Sequence, residues 1–509
     1  MQENPCSKSS CPWLALIILS LTSTLTQAEQ FGLFTYRDTG ETIEIIDFPD
    51  DVTGHVDIPA EIDGKPVTSI GGATESNNLE GAFFGCGIGS VTIPDSVTHI
   101  GDSAFSICFN LSSVTIPDSV IEIGNSAFYQ SNSLTAVTLG NNVRSIGDLA
   151  FFVCFRLESL TIPDSVTSIG ERAFEGCWAL STLNLGNGLT DIGIAAFMQC
   201  GALESLTIPD SVTNISRHAF GNCGFTSITL GNGISTLEHG VFAKCENLTS
   251  VTFGNGLDTI GPTVFSRCTA LTTITIPNTV TTIEHAAFQN CTNLASISIP
   301  DDVDSIGSFA FSGCDALKAV SFGSGIDEIA HLAFSRCSGL KSAVFNGDAP
   351  GSFSELVFDA AAADLKIYFL EGGSGFTAPQ WNGHPSVMID EDAQPAATWL
   401  LKYGFAHDAN LQQDSNGDGV SLLMAYSLNL DPNKNTRASL PAPTITGNTL
   451  GMSFHATSPG ITYSVQTSTD LLNWTSDGIT VNLPDDDGKS FASVKHGAEG
   501  FFRVLVSED

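Results

Sequence analysis

The sequence predicts a repeat solenoid with a parallel β-sheet on one face, followed by a short helical segment and a small antiparallel β-domain. Three observations lead there. Phenylalanine recurs at Phe83, Phe105, Phe128, Phe151, Phe174, Phe197, Phe220, Phe242, Phe265, Phe288, Phe311 and Phe334, in steps of 22 or 23 residues. Three residues beyond each stands a cysteine, from Cys86 and Cys108 to Cys337, with Ser131 as the one substitute, so eleven of thirteen cysteines hold one repeat position. The pattern stops near Met388 and gives way to two different kinds of sequence. A fixed period of about 20–29 residues signals units that bury their apolar faces by stacking.

The N-terminus, residues 1–28, has Lys8, then an apolar run from Trp13 to Leu19, then a polar stretch ending at Ala28. This order is that of a secretory signal peptide, and the run is short for a membrane span. The chain carries 19 basic and 55 acidic side chains in 509 residues, a net charge of -36. That balance argues against nucleic acid or an anionic membrane surface as a partner. No later stretch reads as a transmembrane segment.

Within each unit, illustrated by Leu111–Phe128, the apolar marks are Leu111, Val114, Ile116, Val120, Ile123, Ala127 and Phe128. Val114 and Ile116 are two apart and face one side of a short strand. Pro117, or Gly140 and Gly186 in other units, ends the strand in a turn. The Ile-Gly-x-x-Ala-Phe portion has room only for a helical turn or coil. Each unit is therefore expected to be one strand plus a thin return arm. Twelve strands about 4.8 Å apart make a sheet roughly 55 Å long. The cysteines are expected to be buried thiols acting as small apolar residues. A disulfide column is disfavoured, because stacked side chains point in parallel and eleven is odd.

The motif I-P-D-S-V-x-x-I-G-x-x-A-F-x-x-C-x-x-L, seen at Ile93–Leu111 and Ile162–Leu180, resembles the BspA-type leucine-rich repeats of bacteria. The resemblance covers roughly residues 31–388, within a solenoid domain with end caps at residues 29–388. It includes an N-terminal cap (TIEIIDFPDDVTGHVDIPAEIDGKPVTSIG) and a closing segment (IYFLEGGSGFTAPQWNG), and departs at the insertion Ser76–Gly81. It implies a non-enzymatic surface protein, an adhesin or protein-binding scaffold.

The outward position of each strand is Thr92, Thr115, Thr138, Thr161, Asn184, Thr207, Thr229, Thr252, Thr275, Ser298, Ser321 and Val344, and small hydroxyl residues also dominate two positions earlier. Threonine suits an exposed pleated surface on structural grounds alone. As a site, the eight threonines would form a regular docking face for an extracellular protein or an ordered polymer such as a glycan or ice. The lack of aromatics on this face counts against ordinary glycan stacking. Turn aspartates such as Asp95, Asp118, Asp164 and Asp210 read as turn formers. His239, His285 and His331 share a position in alternate units, roughly 10 Å apart, too far to share a metal. No nucleophile elbow, zinc helix or phosphate loop is present. Rival readings are a polysaccharide-associated factor or hydrolase accessory and a structural surface-layer component.

Residues 389–438 contain DSNGDG, with Asp414, Asn416 and Asp418 at alternate positions and Gly419 for the turn. This is the opening half of an EF-hand-type calcium loop, and it resembles dockerin-like or thrombospondin type-3-like loops. Helices are expected over Ala396–Phe405 and Val420–Leu428. The twelfth position, where a bidentate glutamate is expected, is Ala425. Residues 439–509 alternate in runs such as Tyr463–Thr467 and read as a small β-sandwich. The whole implies an exported, secreted or cell-surface protein.

Overall fold

The computed structural model describes residues 28–71 and 81–390 continuously, and from 394 onward mainly the helices and strands given below. The leader and the insertion before Gly81 lie outside the described residues, apart from Ala28 and Gly81 themselves.

Each unit begins with a three- or four-residue strand whose middle residue points inward, as in Ser113–Thr115 and Ser159–Thr161. Successive strands pair in parallel, with Val114 opposite Val137 and Leu160 opposite Leu183. The pairing is not continuous. Strands group as 113–184, 205–252 and 296 onward, and the segment around Thr275 is not a strand. Short parallel ladders have slanted, weaker bonds, which suits such interruptions.

The return arm differs from the expectation of coil. Each unit carries a second strand of two residues, such as Glu122–Ile123 and Ser145–Ile146, and these form a parallel ladder of their own. The isoleucine enters the core while its neighbour faces out, so a two-residue alternation is enough to build it. After the glycine the chain makes two tight turns. The residues before Ala-Phe and before the cysteine adopt positive φ, as in Ser103 (55°) and Ile107 (61°), and again in Leu149 (57°) and Val153 (56°). β-Branched Ile107 and Val153 are costly there, so stacking must hold them.

What it holds is a spine. The phenylalanine rings of adjacent units lie nearly parallel, with centroids 4.9 Å apart for Phe83–Phe105, 5.0 Å for Phe128–Phe151 and 5.1 Å for Phe151–Phe174. The spacing widens to 5.8 Å on both sides of Phe242.

The eleven repeat cysteines are free and buried. They do more than fill space. In most units the Phe carbonyl already accepts from the N–H three residues on, as Phe83 O does from Cys86 N at 3.2 Å and Phe128 O from Ser131 N at 3.1 Å. The thiol of the next unit donates to the same oxygen: Cys108 Sγ lies 3.0 Å from Phe83 O, and Cys154 Sγ lies 3.2 Å from Phe128 O. Ser131, the exception, donates to Phe105 O at 2.9 Å. The position therefore requires a small donor for the second lone pair of a buried carbonyl. Burial pushes the thiols of Cys154 and Cys291 up to about 12, so these remain protonated.

Both ends are closed. At the start, Glu29–Phe31 and Phe34–Asp38 form an antiparallel hairpin that extends through Ile43–Asp47 and Lys65–Ile70 into the second ladder. Gly54–Asp57 covers the edge of the main sheet by pairing with Ile88–Thr92. At the far end, Ser342–Phe345, Lys366–Leu370 and His384–Ile389 continue the main sheet, with Trp381 inserted in the core and donating to Gly375 O at 3.1 Å. These caps keep the edge strands from pairing with other chains.

Two helices follow, α1 (Ala397–Lys402) and α2 (Leu422–Ser427), each six residues and shorter than the flanking helices expected. Beyond them, strands 449–455, 489–495 and 479–481 form one antiparallel sheet with 444–446, and 461–468 pairs with 501–508. Phe454 and Ala492 from the first sheet meet Val465 and Val504 from the second, so the two sheets share a core as a sandwich does.

Replacing Cys154 by serine is expected to leave the denaturant midpoint nearly unchanged. Replacing it by valine orphans the Phe128 carbonyl's second site and costs about 1–3 kcal/mol. In the native protein, iodoacetamide at pH 8 followed by mass spectrometry is expected to leave the eleven repeat thiols unlabelled, because all are buried away from the reagent.

Candidate functional site: the hydroxyl face and its boundaries

The eight threonines all project from the outer face of the main sheet and are exposed. Strand register sets them in line: Thr115 lies opposite Thr138, and Thr207, Thr229 and Thr252 follow in succession. Thr275 keeps its exposure although its segment is not a strand. A neighbouring row is committed to structure. Ser112, Thr135 and Thr249 donate to main-chain carbonyls of the preceding unit, at 2.9–3.1 Å. Among the described residues Thr161 makes one long contact, from Asn184 Nδ2 at 3.5 Å. The outer row is thus an uncharged strip whose hydroxyls face water.

The strip has two boundaries that the repeat pattern does not reveal. At its N-terminal end, His55 from the cap lies over the first strand. His55 Nδ1 is 2.8 Å from Ser90 Oγ, and its Nε2 is 3.0 Å from Asp57 Oδ1 and 3.1 Å from Thr92 Oγ1. Hydrogen bonds from Thr92 and then His55 hold the Asp57 carboxyl below its usual range. These are the residue types of a nucleophilic triad. However, the His55 and Asp57 side chains are 51% and 75% exposed, whereas such triads act where water is excluded.

At the C-terminal end the face is covered. Val344, assigned above to the exposed row, is buried together with Tyr368 and Ile389 beneath Ala397 and Leu401 of α1. Ser342, two positions earlier, is also buried, and its hydroxyl donates to Leu401 O at 3.3 Å. Ala319 is fully buried. The expected open face therefore ends near Ser321. The sequence signal was the change from Thr and Ser to Val344, Tyr368 and Val387 along one column.

The turn aspartates have a structural task. Asp118 Oδ1 accepts from Asn141 N at 2.7 Å, Asp164 Oδ1 from Asn187 N at 2.7 Å, and Asp210 Oδ1 from Asn232 N at 2.8 Å. Each carboxylate secures the turn of the following unit. Among the histidines, His218 and His239 of adjacent units form a pair, their rings 4.9 Å apart and edge to face. Burial, and then the neighbouring His239, lowers the His218 pKa.

Asp414, Asn416 and Asp418 lie outside the described residues. Their flanks are tied together, with Leu422 N donating to Gln413 O at 2.8 Å and Leu423 N to Leu411 O at 2.7 Å. Ser421 caps α2 by accepting from Met424 N. Ala425 is buried within α2 and brings no side-chain oxygen to the loop. Among the described residues no group of three or more metal-binding side chains converges, and no helix is long and apolar enough to cross a membrane.

The model of the BspA type leucine rich repeat region matches in 6 copies, over residues 79–203, 190–294 and 258–360. Those ranges span more than half of the chain, which belongs to this family. A leucine-rich repeat protein from Bacteroides ovatus is similar at 23% identity and a TM-score of 0.51, over 71% of this chain and 100% of that one. The pneumococcal vaccine antigen PcpA aligns at 18% identity and a TM-score of 0.42, over 72% and 99%. A leucine rich cell surface protein from Faecalibacterium prausnitzii aligns at 26% identity and a TM-score of 0.33, over 58% and 94%. No curated relative matches the chain.

Leu401→Asp is expected to expel α1 from the sheet, since a carboxylate cannot be buried on Val344 and Tyr368 without a partner. Hydrogen exchange should then show loss of protection at residues 397–402 and at Val344, while the strands before 298 remain protected.

Proposed function

We propose that this chain is an exported, non-enzymatic binding protein, a cell-surface adhesin or interaction scaffold, that engages an extracellular protein through its threonine face. The observation that carries this reading is the in-register row of exposed, uncharged hydroxyls, distinct from the row used internally. Such a face has little side-chain entropy to lose on docking, and its donors and acceptors repeat at the strand spacing. Membership of the BspA-type family and the leader-like N-terminus favour the same assignment. So does a charge of -36, which keeps the free protein dispersed and discourages adhesion to anionic surfaces. In this reading α1 fixes the C-terminal module on the end of the solenoid and leaves the threonines clear.

The combined variant Thr161→Glu, Thr207→Glu, Thr229→Glu changes only exposed positions. It is expected to retain the wild-type circular dichroism and to lose at least tenfold in affinity, about 1.4 kcal/mol, for a ligand found on an extracellular-protein array. Unchanged affinity removes the face from the mechanism.

Calcium is part of the proposal for the joint after the solenoid. Asp414, Asn416 and Asp418 would hold it, without the carboxylate that Ala425 replaces, so binding should be weak for this class of loop. Excess calcium is expected to raise the unfolding temperature of the C-terminal segment and chelator to reverse it, with no effect in Asp414→Ala, Asp418→Ala.

A further inference from the structure

The edge of the coil between each cysteine and the main strand carries an interruption that the binding reading does not use. The residue after each cysteine forms a column along this edge. Phe155 and Trp178 stack in it, with centroids 5.9 Å apart. Trp178 is 55% exposed, the most exposed large hydrophobic side chain among the described residues. The next two members are Gly201 and Gly224, and the next is Glu246. A Cβ on Gly201 would meet nothing within 4 Å, so the space above it is open.

The result is a groove of about 340 Å³ between Trp178 and Glu246. It spans two glycine units, about 10 Å along the stack. Its polar lining comes from Gln199, Asn222, Lys244, Glu246 and Asn247. Gln199, Asn222 and Lys244 occupy the positive-φ position before successive cysteines, at 65°, 56° and 62°. That conformation repeats one side-chain origin per unit along the groove. The unit from Phe220 to Phe242 is one residue short, and Phe225 takes the buried leucine position. The other shortened unit, after Cys86, is occupied by the cap, with Gly87 N donating to Asp50 O at 3.0 Å. At Gly224 no cap element is present, and the chain closes on the unit before it: a Cβ there would come within 2.1 Å of Gly201 O, so the opening lies over Gly201.

A second hollow, of about 410 Å³ beside Ile121 and Arg144, differs in kind. Its hydroxyls and amide are already engaged: Ser119 donates to Val97 O at 2.6 Å, Ser165 to Val143 O at 2.7 Å and Asn142 to Asp118 O at 2.8 Å. Among the described residues, none of the five polar side chains beside Trp178 has a hydrogen-bond or ion-pair partner within the chain.

We propose that this groove is a glycan-binding site, taking a neutral hexopyranose unit on the Trp178 ring. A pyranose presents an apolar face of C–H groups that packs on an aromatic plane, and a rim of hydroxyls that both donate and accept. The indole supplies the plane. Amides on Gln199, Asn222 and Asn247, with an ammonium and a carboxylate from Lys244 and Glu246, supply the complementary rim. The net charge of -36 disfavours uronic or sialic acids, so the sugar is uncharged. The site is separate from the threonine face and does not depend on it.

The test is isothermal titration of the full chain with neutral oligosaccharides of glucose, mannose and N-acetylglucosamine, and with oligogalacturonate as the charged comparison. Saturable binding of a neutral oligosaccharide is expected, weakened at least tenfold by Trp178→Ala and by the groove-filling Gly201→Phe. Both changes are at exposed positions, and circular dichroism checks the fold. The threonine triple variant should bind the sugar as the wild type does. Absence of binding to every neutral oligosaccharide up to about 10 mM, or equal binding by Trp178→Ala, overturns the proposal.

Discussion

One distance governs this protein: the rise from one unit to the next. Parallel strands demand about 4.8 Å. Offset phenylalanine rings accept about 5 Å, and those in the spine lie at 4.9–5.4 Å over most of the stack. The donor to the buried Phe carbonyl must also span one unit, which a thiol does at 3.0–3.4 Å and the hydroxyl of Ser131 does at 2.9 Å. Strand, ring and donor agree on the same rise, so each stabilises the others. The rings spread to 5.8 Å on both sides of Phe242, the first of these steps crossing the shortened unit from Phe220, whereas the rings across the capped short unit, Phe83 and Phe105, stay at 4.9 Å.

A uniform interior leaves the exterior free to vary by column. Substituting an outward residue changes no packed contact within its own unit, so one face can be all threonine while another carries Trp178 and two glycines. Departures from the repeat are the informative places, because the spine alone would tolerate the consensus there. Val344 and Tyr368 break the hydroxyl row and receive α1. Gly201 and Gly224 interrupt the column that follows the cysteines, and the space over Gly201 is open.

Much of the fold was legible because its period is a property of the chain itself. The phenylalanine and cysteine columns, the inward Val114 and Ile116 and the alternation at Tyr463 follow from counting along the sequence, while the end caps came from the family resemblance of their segments. The second ladder at Ile123 was not legible, since two residues carry too little alternation to separate a strand from coil. The donor role of the cysteines was hidden because their acceptor lies 25 or 26 residues away, in the preceding unit. The cover of α1 on Ser342 joins positions 59 residues apart. The threonine row itself was fully visible, but which of two hydroxyl rows is committed to the backbone depended on where each strand's neighbour places its carbonyls.

The charge of the exterior obeys the same one-unit rule. A column of carboxylates at the unit spacing would repel itself strongly, since about 5 Å is well inside the Debye length of about 8 Å at physiological salt. After the adjacent pair Asp95 and Asp118, the first turn alternates instead. Asp118 is followed by Asn141, Asp164 by Asn187, Asp210 by Asn232 and then Asn255, and Asp301 by Ser324. Every one of these carboxylates accepts a backbone N–H from the unit above. Asn232 continues the ladder, accepting from Asn255 N at 2.9 Å without adding charge. The second turn uses the same contact, with alternation only as far as Asp148: Asp102 accepts from Asn125 N, Asn125 from Asp148 N, and Asp148 from Glu171 N. Alternation moves many of the negative charges to about twice the unit rise, where water and salt largely screen them. A chain with a net charge of -36 can in this way stack its units closely, draw turn stability from its carboxylates, and still present a neutral strip of hydroxyls on the face between them.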